Sequence, residues 1–282
     1  MAADPKQGKE QTLGLIKPNA YSKRADIIGL IKKDGFTIAE QKEVTLTRNQ
    51  VENFYAEHRG KKFYDELCTF MTSGPTIALL LEKADAIKEW RRVMGPTSVE
   101  TAKKEAPNSI RALYGENVTK NAAHGSDSPE SAKREVGFFF HVEDTYAMIK
   151  PNAVSHKDAI IAEIKKEGFD VVKFKEIRLT KLQAEEFYAE HKGKKFFDEL
   201  VGFMTGGDVV CLHLRAPNAI QAWRYLMGPT NPNTAKQDYP LCLRARYATG
   251  FTENATHGSD SPISAARELE LAFGPKGFAA QK

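Results

Sequence analysis

One pattern occurs twice in this chain at a fixed separation, and it constrains the fold more strongly than composition does. The segment NAAHGSDSP at 121–129 returns as NATHGSDSP at 254–262, and IKPNA at 16–20 returns as IKPNA at 149–153. Both pairs are 133 residues apart, and the register has no gap over most of the 282 residues. A repeat this long has the size of a whole domain, whereas solenoid repeats are about 20–50 residues long. The sequence therefore predicts one globular domain written twice.

The apolar pattern within each copy predicts alternating strands and helices. In the first copy, the apolar run at 12–16 indicates a buried strand, and a helix, a strand, a helical region, a strand and a helix follow. Thr47 and Gln50 form a capping-box pattern, and Ser128 before Pro129 is typical of another helix start. This order predicts the α/β (α+β) class, as two tandem ferredoxin-like (βαββαβ) domains whose antiparallel sheets carry helices on one face.

The predicted domains are residues 1–141 and 142–282, with a very short connection. Only residues 141–144 separate the last predicted helix of the first copy from the first predicted strand of the second. Such a link spans ~14 Å when fully extended. We therefore expect the two domains to pack as a fixed intramolecular pair.

Composition argues against several classes of function. The formal charge of +4 is a small difference between 41 basic and 37 acidic side chains, so no overall field points to nucleic acid or membrane. Residues 1–11 lack the apolar core of a secretory signal, and no apolar run approaches the roughly 18 residues of a membrane helix. Cys68, Cys211 and Cys242 are not equivalent in the two copies, which argues against a disulfide framework. We expect a cytoplasmic protein without a nucleic-acid partner, a membrane partner or a metal cage of protein side chains.

One histidine in each copy is the main candidate for chemistry. His124 and His257 lie in turns rich in Gly, Ser and Asp directly before a helix, and Glu135 and Glu268 each follow eleven residues later. From two turns inside the helix, that carboxylate can fold back and hold the imidazole in one orientation. A neutral histidine held in this way is a competent nucleophile.

Each copy also repeats cations and a hydroxyl that suit phosphate. Arginine forks and a lysine point charge bind phosphate oxygens, and threonine adds a neutral donor. Phosphoryl transfer requires little more than positioning and charge stabilisation, so these residues indicate phosphate chemistry. The set comprises Lys17, Arg91, Thr97 and Arg111 in the first copy and Lys150, Arg224, Thr230 and Arg244 in the second.

Other repeated residues have structural interpretations. His58 and His191 lie in predicted helices, and we expect them to pack in the fold or to face solvent. A second group fits a buried helical stripe, with base stacking as the alternative. That group comprises Phe63 and Leu67 in the first copy and Phe196 and Leu200 in the second.

Together these motifs resemble the nucleoside diphosphate kinase family over nearly the whole of both copies. The combination of Asn-x-x-His-Gly-Ser-Asp-Ser with an upstream Ile-Lys-Pro is highly specific. The resemblance implies a ping-pong enzyme that moves the terminal phosphate of a nucleoside triphosphate such as ATP onto histidine, and then onto another nucleoside diphosphate. His124 and His257 would be the phosphorylated nucleophiles, oriented by Glu135 and Glu268.

The resemblance also implies roles for the other repeated positions. Tyr55 and Tyr188 would join the lysine, arginines and threonine at the phosphates. Asn121 and Asn254 would bind the ribose. The base would be clamped, without its edge being read, by Phe63, Leu67 and Val118 in the first copy and by Phe196, Leu200 and Phe251 in the second. Mg²⁺ would enter as the Mg-nucleotide, bridging phosphates rather than occupying a protein cage.

Departures from the commonest pattern resemble a divergent branch of the family that is associated with cilia and flagella. Asn19 and Asn152 replace an aspartate, and the segment 97–111 is about three residues longer than usual. Both copies keep every position that matches a catalytic residue, so we expect two active sites per chain.

Three functional alternatives and two assemblies stay open at this point. The chain can be an active kinase, a structural subunit of ciliary or flagellar axonemal microtubules with residual activity, or a donor of phosphate from histidine to proteins. The assembly is either a trimer of chains that mimics a hexamer or a lone pseudo-dimer.

Overall fold

The computed structural model describes residues 9–278, which divide into two compact units between His141 and Val142. The strands of domain 1 are β1 (Glu10–Ile16), β2 (Thr37–Val44), β3 (Thr76–Lys83) and β4 (Ala123–Gly125). Its helices are α1 (Arg24–Lys33), α2 (Arg48–Phe54), α3 (Tyr64–Met71), α4 (Ala86–Met94), α5 (Val99–Glu105), α6 (Ile110–Tyr114) and α7 (Pro129–Phe140).

Domain 2 repeats this order. Its strands are β5 (Val142–Ile149), β6 (Asp170–Ile177), β7 (Val209–Pro217) and β8 (Thr256–Gly258). Its helices are α8 (Lys157–Lys166), α9 (Lys181–Phe187), α10 (Phe197–Thr205), α11 (Ala219–Met227), α12 (Pro232–Asp238), α13 (Leu243–Tyr247) and α14 (Pro262–Phe273). Single 3₁₀ turns lie at Pro18–Lys23, Ala56–His58, Pro151–His156 and Ala189–His191.

Each domain contains one four-stranded antiparallel sheet. The strand orders are β2-β3-β1-β4 and β6-β7-β5-β8. A central first strand flanked by the third and fourth strands is the ferredoxin-like arrangement, so the predicted fold class is confirmed.

Helices cover both faces of each sheet, not one face as the sequence pattern suggested. In domain 1, Leu15 and its strand partner Ala78 face a core formed with α2, α3 and α7. Ile16 and its partner Ile77 face the opposite core, formed with α1 and α4. The central strands β1 and β3 are apolar in continuous runs rather than in alternation, which is the pattern of strands buried on both sides.

The connection between the domains is shorter than predicted. Helix α7 ends at Phe140 and β5 begins at Val142, so only His141 lies between them. The expected link at 141–144 is wrong because Asp144 is part of β5, where Arg215 donates to it at 2.9 Å. That hydrogen bond is the largest cause of the lowered pKa of Asp144. A charged residue near the strand end is therefore satisfied by its neighbour strand.

The predicted helix starts are present in both domains. Thr47 accepts from the Gln50 amide, and the Gln50 side chain accepts from the Thr47 amide, which completes a capping box. Thr180 forms the same box in domain 2, and Ser128 and Ser261 cap the helices that begin with proline. Within residues 9–278, no helix is long and apolar enough to cross a membrane.

Candidate active site

Strand pairing brings His124 beside Lys17. Antiparallel pairing of β4 with β1 sets His124 opposite Leu15, and Lys17 follows the end of β1. The Lys17 amide donates to the Ala122 carbonyl at 2.8 Å, so the ladder continues one residue beyond the strands. The corresponding residues of domain 2 are His257, Met148, Lys150 and Ala255.

The predicted pairing of histidine with glutamate is present in domain 1. His124 Nε2 lies 2.9 Å from Oε2 of Glu135, and Ser126 Oγ donates to the same oxygen at 2.8 Å. A carboxylate only accepts hydrogen bonds, so Nε2 carries the ring proton and Nδ1 keeps its lone pair. Glu135 is buried in α7, which fixes this arrangement.

Domain 2 forms the same histidine–glutamate pair, but the hydrogen bonds are shared differently between the two carboxylate oxygens. His257 Nε2 lies 3.0 Å from Oε1 of Glu268, while Ser259 Oγ donates to Oε2 at 2.7 Å. The two carboxylate oxygens therefore each take one donor, whereas one oxygen of Glu135 takes both. In both domains the imidazole is held in the same tautomer.

Aromatic rings surround the imidazole and explain the glycine that follows it. The ring of His124 makes edge contacts with Phe54 at 5.3 Å and Tyr55 at 5.8 Å between centroids. Trp90 Nε1 donates to the His124 carbonyl at 3.1 Å. A Cβ on Gly125 would lie 2.3 Å from the Trp90 indole, so only glycine fits there. Domain 2 repeats this with Phe187, Tyr188, Trp223 and Gly258.

A strained turn precedes each histidine by two residues. Ala122 and Ala255 have φ of 68° and 67°, in the left-handed region. In each case the amide of the next residue donates to the carbonyl of the preceding asparagine, at 2.9 Å and 2.8 Å. This is a γ-turn of positive φ, a costly conformation for a residue with a Cβ. The strain lies between the predicted ribose ligand and the predicted nucleophile.

Two cations lie near the histidine, Lys17, which is buried, and Arg111, which is half-buried. The pKa of Lys17 is lowered to about 7, first because burial disfavours the ammonium and then because Arg111 repels it. Burial, with a contribution from Arg91, lowers the pKa of Arg111 to about 10. Lys150 and Arg244 have the same values, about 7 and about 10. In the described part of the chain, Lys17 and Arg111 form no ion pair with a carboxylate, which leaves positive charge for an anion.

In domain 2 these groups line one cavity of about 520 Å³. Pockets of this size hold small molecules such as nucleotides. The lining includes all the candidate site residues that the sequence analysis selected for domain 2, namely Lys150, Tyr188, Phe196, Leu200, Arg224, Thr230, Arg244, Phe251, Asn254, His257 and Glu268.

Several polar atoms of this lining are buried without a partner. Among the described residues, the Tyr188 hydroxyl, Nε of Arg244 and Oδ1 of Asn254 form no hydrogen bond. Unpaired buried polar atoms are costly, so clusters of them mark places where a ligand completes the structure. The Tyr55 hydroxyl and Nε of Arg111 are in the same state in domain 1.

Domain 1 also has a larger cavity, of about 770 Å³, that contains none of the phosphate-binding set. It is lined by another face of α3, with Asp65, Glu66 and Thr69, and by Asn19 and Lys120. Chemistry rather than volume therefore assigns the site to the surroundings of His124.

The predicted base clamp combines buried and exposed side chains. Leu67 and Leu200 are buried, as a core stripe requires, whereas Phe63 and Phe196 are exposed at the cavity rim. The facing positions are more exposed still, Val118 at 63% and Phe251 at 65%. Exposed apolar side chains at a cavity rim are available to a flat ligand.

His58 and His191 pack against the tyrosines of the two sites, which agrees with the expected packing role and places it next to the predicted site residues. His58 stacks on Tyr55, with centroids 6.0 Å apart, and contacts the edge of Phe63 at 5.6 Å. His191 stacks in the same way on Tyr188 and lines the cavity. Both histidines lie at the end of a 3₁₀ turn rather than in the predicted helix. The FYAEH repeat next to the tyrosine was the signal for this role.

Protein side chains alone do not offer a metal centre in residues 9–278. No group of three or more His, Cys, Asp or Glu side chains is placed to hold an ion there. The donors around the histidines are lysine, arginine and threonine, which suit phosphate oxygens rather than Mg²⁺.

Comparison with known proteins gives the same two-part organisation. The family model described as nucleoside diphosphate kinase matches residues 10–144 and again residues 143–278. The chain is 36% identical over 281 residues to nucleoside diphosphate kinase homolog 7 of Rattus norvegicus, covering 94% of this chain and 71% of that protein.

Other relatives are longer or shorter than this chain. Thioredoxin domain-containing protein 6 of Xenopus laevis is 44% identical over 268 residues, 94% of this chain but 43% of that protein, so the chain spans less than half of it. The crystal structure of Aquifex aeolicus nucleoside diphosphate kinase has 46% sequence identity and a TM-score of 0.45, covering 46% of this chain and 94% of that one. With a family model matched in each half and the histidine motif intact in both, the chain belongs to the nucleoside diphosphate kinase family.

Proposed function

We propose that this chain is a nucleoside diphosphate kinase with one site in each domain, transferring the terminal phosphate of a nucleoside triphosphate to a nucleoside diphosphate through phosphohistidine. The observation that carries the proposal is a histidine with a free Nδ1 beside a buried lysine and a half-buried arginine that form no ion pair with a carboxylate within residues 9–278. That combination suits a nucleophile that attacks phosphate, and it occurs twice.

In the first half-reaction, the Nδ1 lone pair of His124 or His257 attacks the γ-phosphorus. An N–P bond forms, and the bond from phosphorus to the bridging oxygen breaks with its electron pair leaving on the diphosphate. The imidazole gains positive character, which the buried carboxylate hydrogen-bonded to Nε2 stabilises. In the second half-reaction, a terminal oxygen of another nucleoside diphosphate attacks the phosphohistidine and restores the free histidine.

The cations hold the phosphates and disperse their charge. Lys17 is buried and Arg111 half-buried beside the histidine, while Arg91 is exposed at the end of α4 and can follow the nucleotide as it enters. Little else is required of the protein in phosphoryl transfer, because positioning and electrostatic stabilisation account for most of the catalysis. The Tyr55 hydroxyl, unpartnered in the free protein, would donate to a phosphate oxygen.

The remaining lining would bind the nucleoside without reading its identity. Asn254 presents an unpartnered Oδ1 that can accept from a ribose hydroxyl. Phe196 and Phe251 offer ring faces and Leu200 an apolar floor, none of which can recognise the edge of a base. Broad tolerance for the base follows.

Magnesium would be part of the substrate. A magnesium ion bound to the nucleotide phosphates neutralises charge as the terminal phosphate moves. The lysine and arginines of this site fit the oxygens that such an ion leaves free.

The test is phosphate exchange by the purified full chain. With ATP and CDP supplied, the proposal predicts formation of ADP and CTP, separated by chromatography. The His124→Ala, His257→Ala double variant is the control and should form none. A folded wild-type protein that forms no CTP would overturn the proposal.

A structural role in ciliary or flagellar axonemes stays a second candidate, because the Asn19 and Asn152 departures resemble the branch associated with those organelles. Salt-resistant co-purification with axonemes at fixed stoichiometry would support it. A freely soluble cytoplasmic pool would contradict it. Size measurement on the isolated chain would separate the trimer from the lone pseudo-dimer.

A further inference from the structure

In each domain, a buried phenylalanine ring packs against the phenylalanine that contacts the histidine. This buried ring comes from a different part of the chain in the two domains. In domain 1, Phe54 contacts His124 at 5.3 Å, and Phe139 of α7 contacts Phe54 at 5.5 Å with an interplanar angle of 61°. Phe139 is 3% exposed, so it fills the core directly behind the Phe54 ring. The order is Phe139, Phe54, His124.

In domain 2 the helix position that corresponds to Phe139 is Ala272, which has no ring. Phe278, beyond the end of α14, supplies one instead. It contacts Phe187 at 6.1 Å with an interplanar angle of 60°, and Phe187 contacts His257 at 5.1 Å. Phe278 is 4% exposed, almost the same as Phe139. A buried phenylalanine ring outside the helix therefore contacts Phe187, whereas in domain 1 both Phe138, at 5.2 Å, and Phe139 contact Phe54 from within α7.

Specific contacts hold the segment that carries Phe278. Lys175 Nζ, from the edge strand β6, donates to the carbonyls of Ala272 and Phe278, both at 2.8 Å. The Phe278 amide donates to the Leu271 carbonyl at 3.0 Å. These bonds occupy carbonyls that the end of a helix leaves without partners, where a cation is also favoured. A Cβ on Gly277 would lie 2.7 Å from the Ala272 carbonyl oxygen, so the turn requires glycine.

We propose that Phe278 is a positioning residue for His257, acting through Phe187, and that Lys175 keeps it in place. The inference rests on the proposed kinase activity, since it assigns Phe278 a part in that reaction. Phe187 forms one wall of the imidazole site, and its ring is held by Phe278 on one side and by the buried Tyr146 of β5, at 5.5 Å, on another, so loss of Phe278 opens part of the space behind it. The imidazole then has room to tilt away from the line of attack, while the nucleotide-binding residues stay where they are.

The effect is expected on turnover rather than on binding. In a full-length chain carrying His124→Ala, all measured phosphate transfer comes from the second site. Phe278→Ala should lower kcat about tenfold, because a small misplacement of a reacting group is enough for a loss of this size, and change the nucleotide KM by less than about twofold. Lys175→Met should act in the same direction more weakly.

The decisive control is a variant that moves the phenylalanine ring to the helix position it has in domain 1. Adding Ala272→Phe to Phe278→Ala restores the ring at the position it has in domain 1, and kcat should recover to within about threefold. In a His257→Ala background, where the first site reports, Phe278→Ala should change nothing. An unchanged kcat in Phe278→Ala, a loss that Ala272→Phe does not recover, or an equal loss at the first site would each overturn the inference.

A second readout does not depend on activity. The ¹⁵N signals of the His257 ring in the free protein should report one tautomer in the His124→Ala parent and should broaden or shift toward a tautomer average in Phe278→Ala. Unchanged ring signals together with only a lower melting temperature would reduce Phe278 to a structural residue. If the parent itself transfers no phosphate, the proposed function fails at this site, and the ring signals still decide the positioning role.

Discussion

The two sites agree closely around the histidine and differ where a nucleoside would lie. The distance from histidine Nε2 to glutamate is 2.9 Å in domain 1 and 3.0 Å in domain 2, and the tryptophan bond to the histidine carbonyl is 3.1 Å in both. The serine bond to the glutamate is 2.8 Å in one and 2.7 Å in the other. The reacting groups are thus nearly superimposable.

The hydrogen bonds at the end of each site where the nucleoside would lie differ between the two domains. Lys17 Nζ donates to Oδ1 of Asn121 at 2.8 Å, so that oxygen is occupied in domain 1. In domain 2, Lys150 Nζ donates to the Thr252 carbonyl at 3.2 Å, as Lys17 does to the Thr119 carbonyl at 3.4 Å, but not to Asn254, whose Oδ1 has no partner among the described residues. Under the proposed function, a nucleoside that binds this asparagine oxygen has to displace a hydrogen bond at the first site but not at the second.

The loop that carries the predicted base clamp also differs between the two domains. Thr252 Oγ1 donates to Glu199 at 2.9 Å, which ties the loop carrying Phe251 to α10. The corresponding Thr119 and Glu66 form no such bond in the described part of domain 1. Under the proposed function, one chemical step is performed at two sites that bind the nucleoside differently, with the second better organised in advance.

The largest expected effect tests the shared part. Glu135→Gln and Glu268→Gln keep an acceptor for Nε2 but remove the charge that stabilises the reacting imidazole, and each should lower kcat at its own site by roughly 10²-fold. Single-turnover kinetics in backgrounds lacking the other histidine measures this. Losses that differ by more than about tenfold between the domains would break the equivalence of the reacting groups.

The next effect is on pH dependence and should also be equal at both sites. Lys17 and Lys150 have a pKa of about 7 without ligand, and phosphate favours the ammonium, so binding raises both pKa values and takes up protons. Above pH 7 nucleotide affinity should fall, by up to about tenfold per pH unit. Calorimetry of ADP binding in buffers of different ionisation enthalpy gives the proton count. Lys17→Met and Lys150→Met should each remove the uptake at one site; if neither does, the lysines are not the source.

A smaller effect separates the clamps. Phe251→Val should raise the nucleotide KM at the second site, and Val118→Phe should lower it at the first, by roughly fivefold each, since stacking a base on an aromatic ring contributes about 1–3 kcal/mol. Purine nucleotides should respond more than pyrimidine nucleotides because of their larger ring face. If neither substitution changes the nucleotide KM of its own site, Phe251 does not contact the base.

The smallest effect concerns the bond between Thr252 and Glu199. Thr252→Val removes one hydrogen bond whose net contribution is about 0.5–1.5 kcal/mol, so the KM at the second site should rise about threefold. Thr119→Val is the matched control and should leave the first site unchanged. An equal rise at both sites would assign the effect to the loop itself and not to that bond.

The sequence predicted what depends on local pattern. The βαββαβ order, the capping boxes at Thr47 and Thr180 and the partnership of His124 with Glu135 all follow from spacing within one copy. The sequence predicts that His58 lies in a helix, whereas α2 ends at Phe54 and a 3₁₀ turn follows at Ala56–His58. The stacking of His58 on Tyr55 is seen only in the structure.

Contacts between segments that are distant in the sequence could not be predicted from the local residue pattern. Phe278 lies more than ninety residues from Phe187, and no period in the sequence relates them. Lys17 donates to Asn121, whereas Lys150 forms no such bond with Asn254, and this difference depends on side-chain packing around one buried ammonium. The repeat cannot show it, because both copies have the same residues at these positions. The repeat therefore predicts the chemistry twice but conceals the difference in binding.

The most direct test of the central claim is to count phosphohistidine per chain. Full-length protein is incubated with γ-labelled ATP and acid-labile label is measured in wild type, His124→Ala, His257→Ala and the double variant. The account predicts about two labels in the wild type, about one in each single variant and none in the double variant. Label confined to one histidine, or no label in folded wild-type protein, would contradict it.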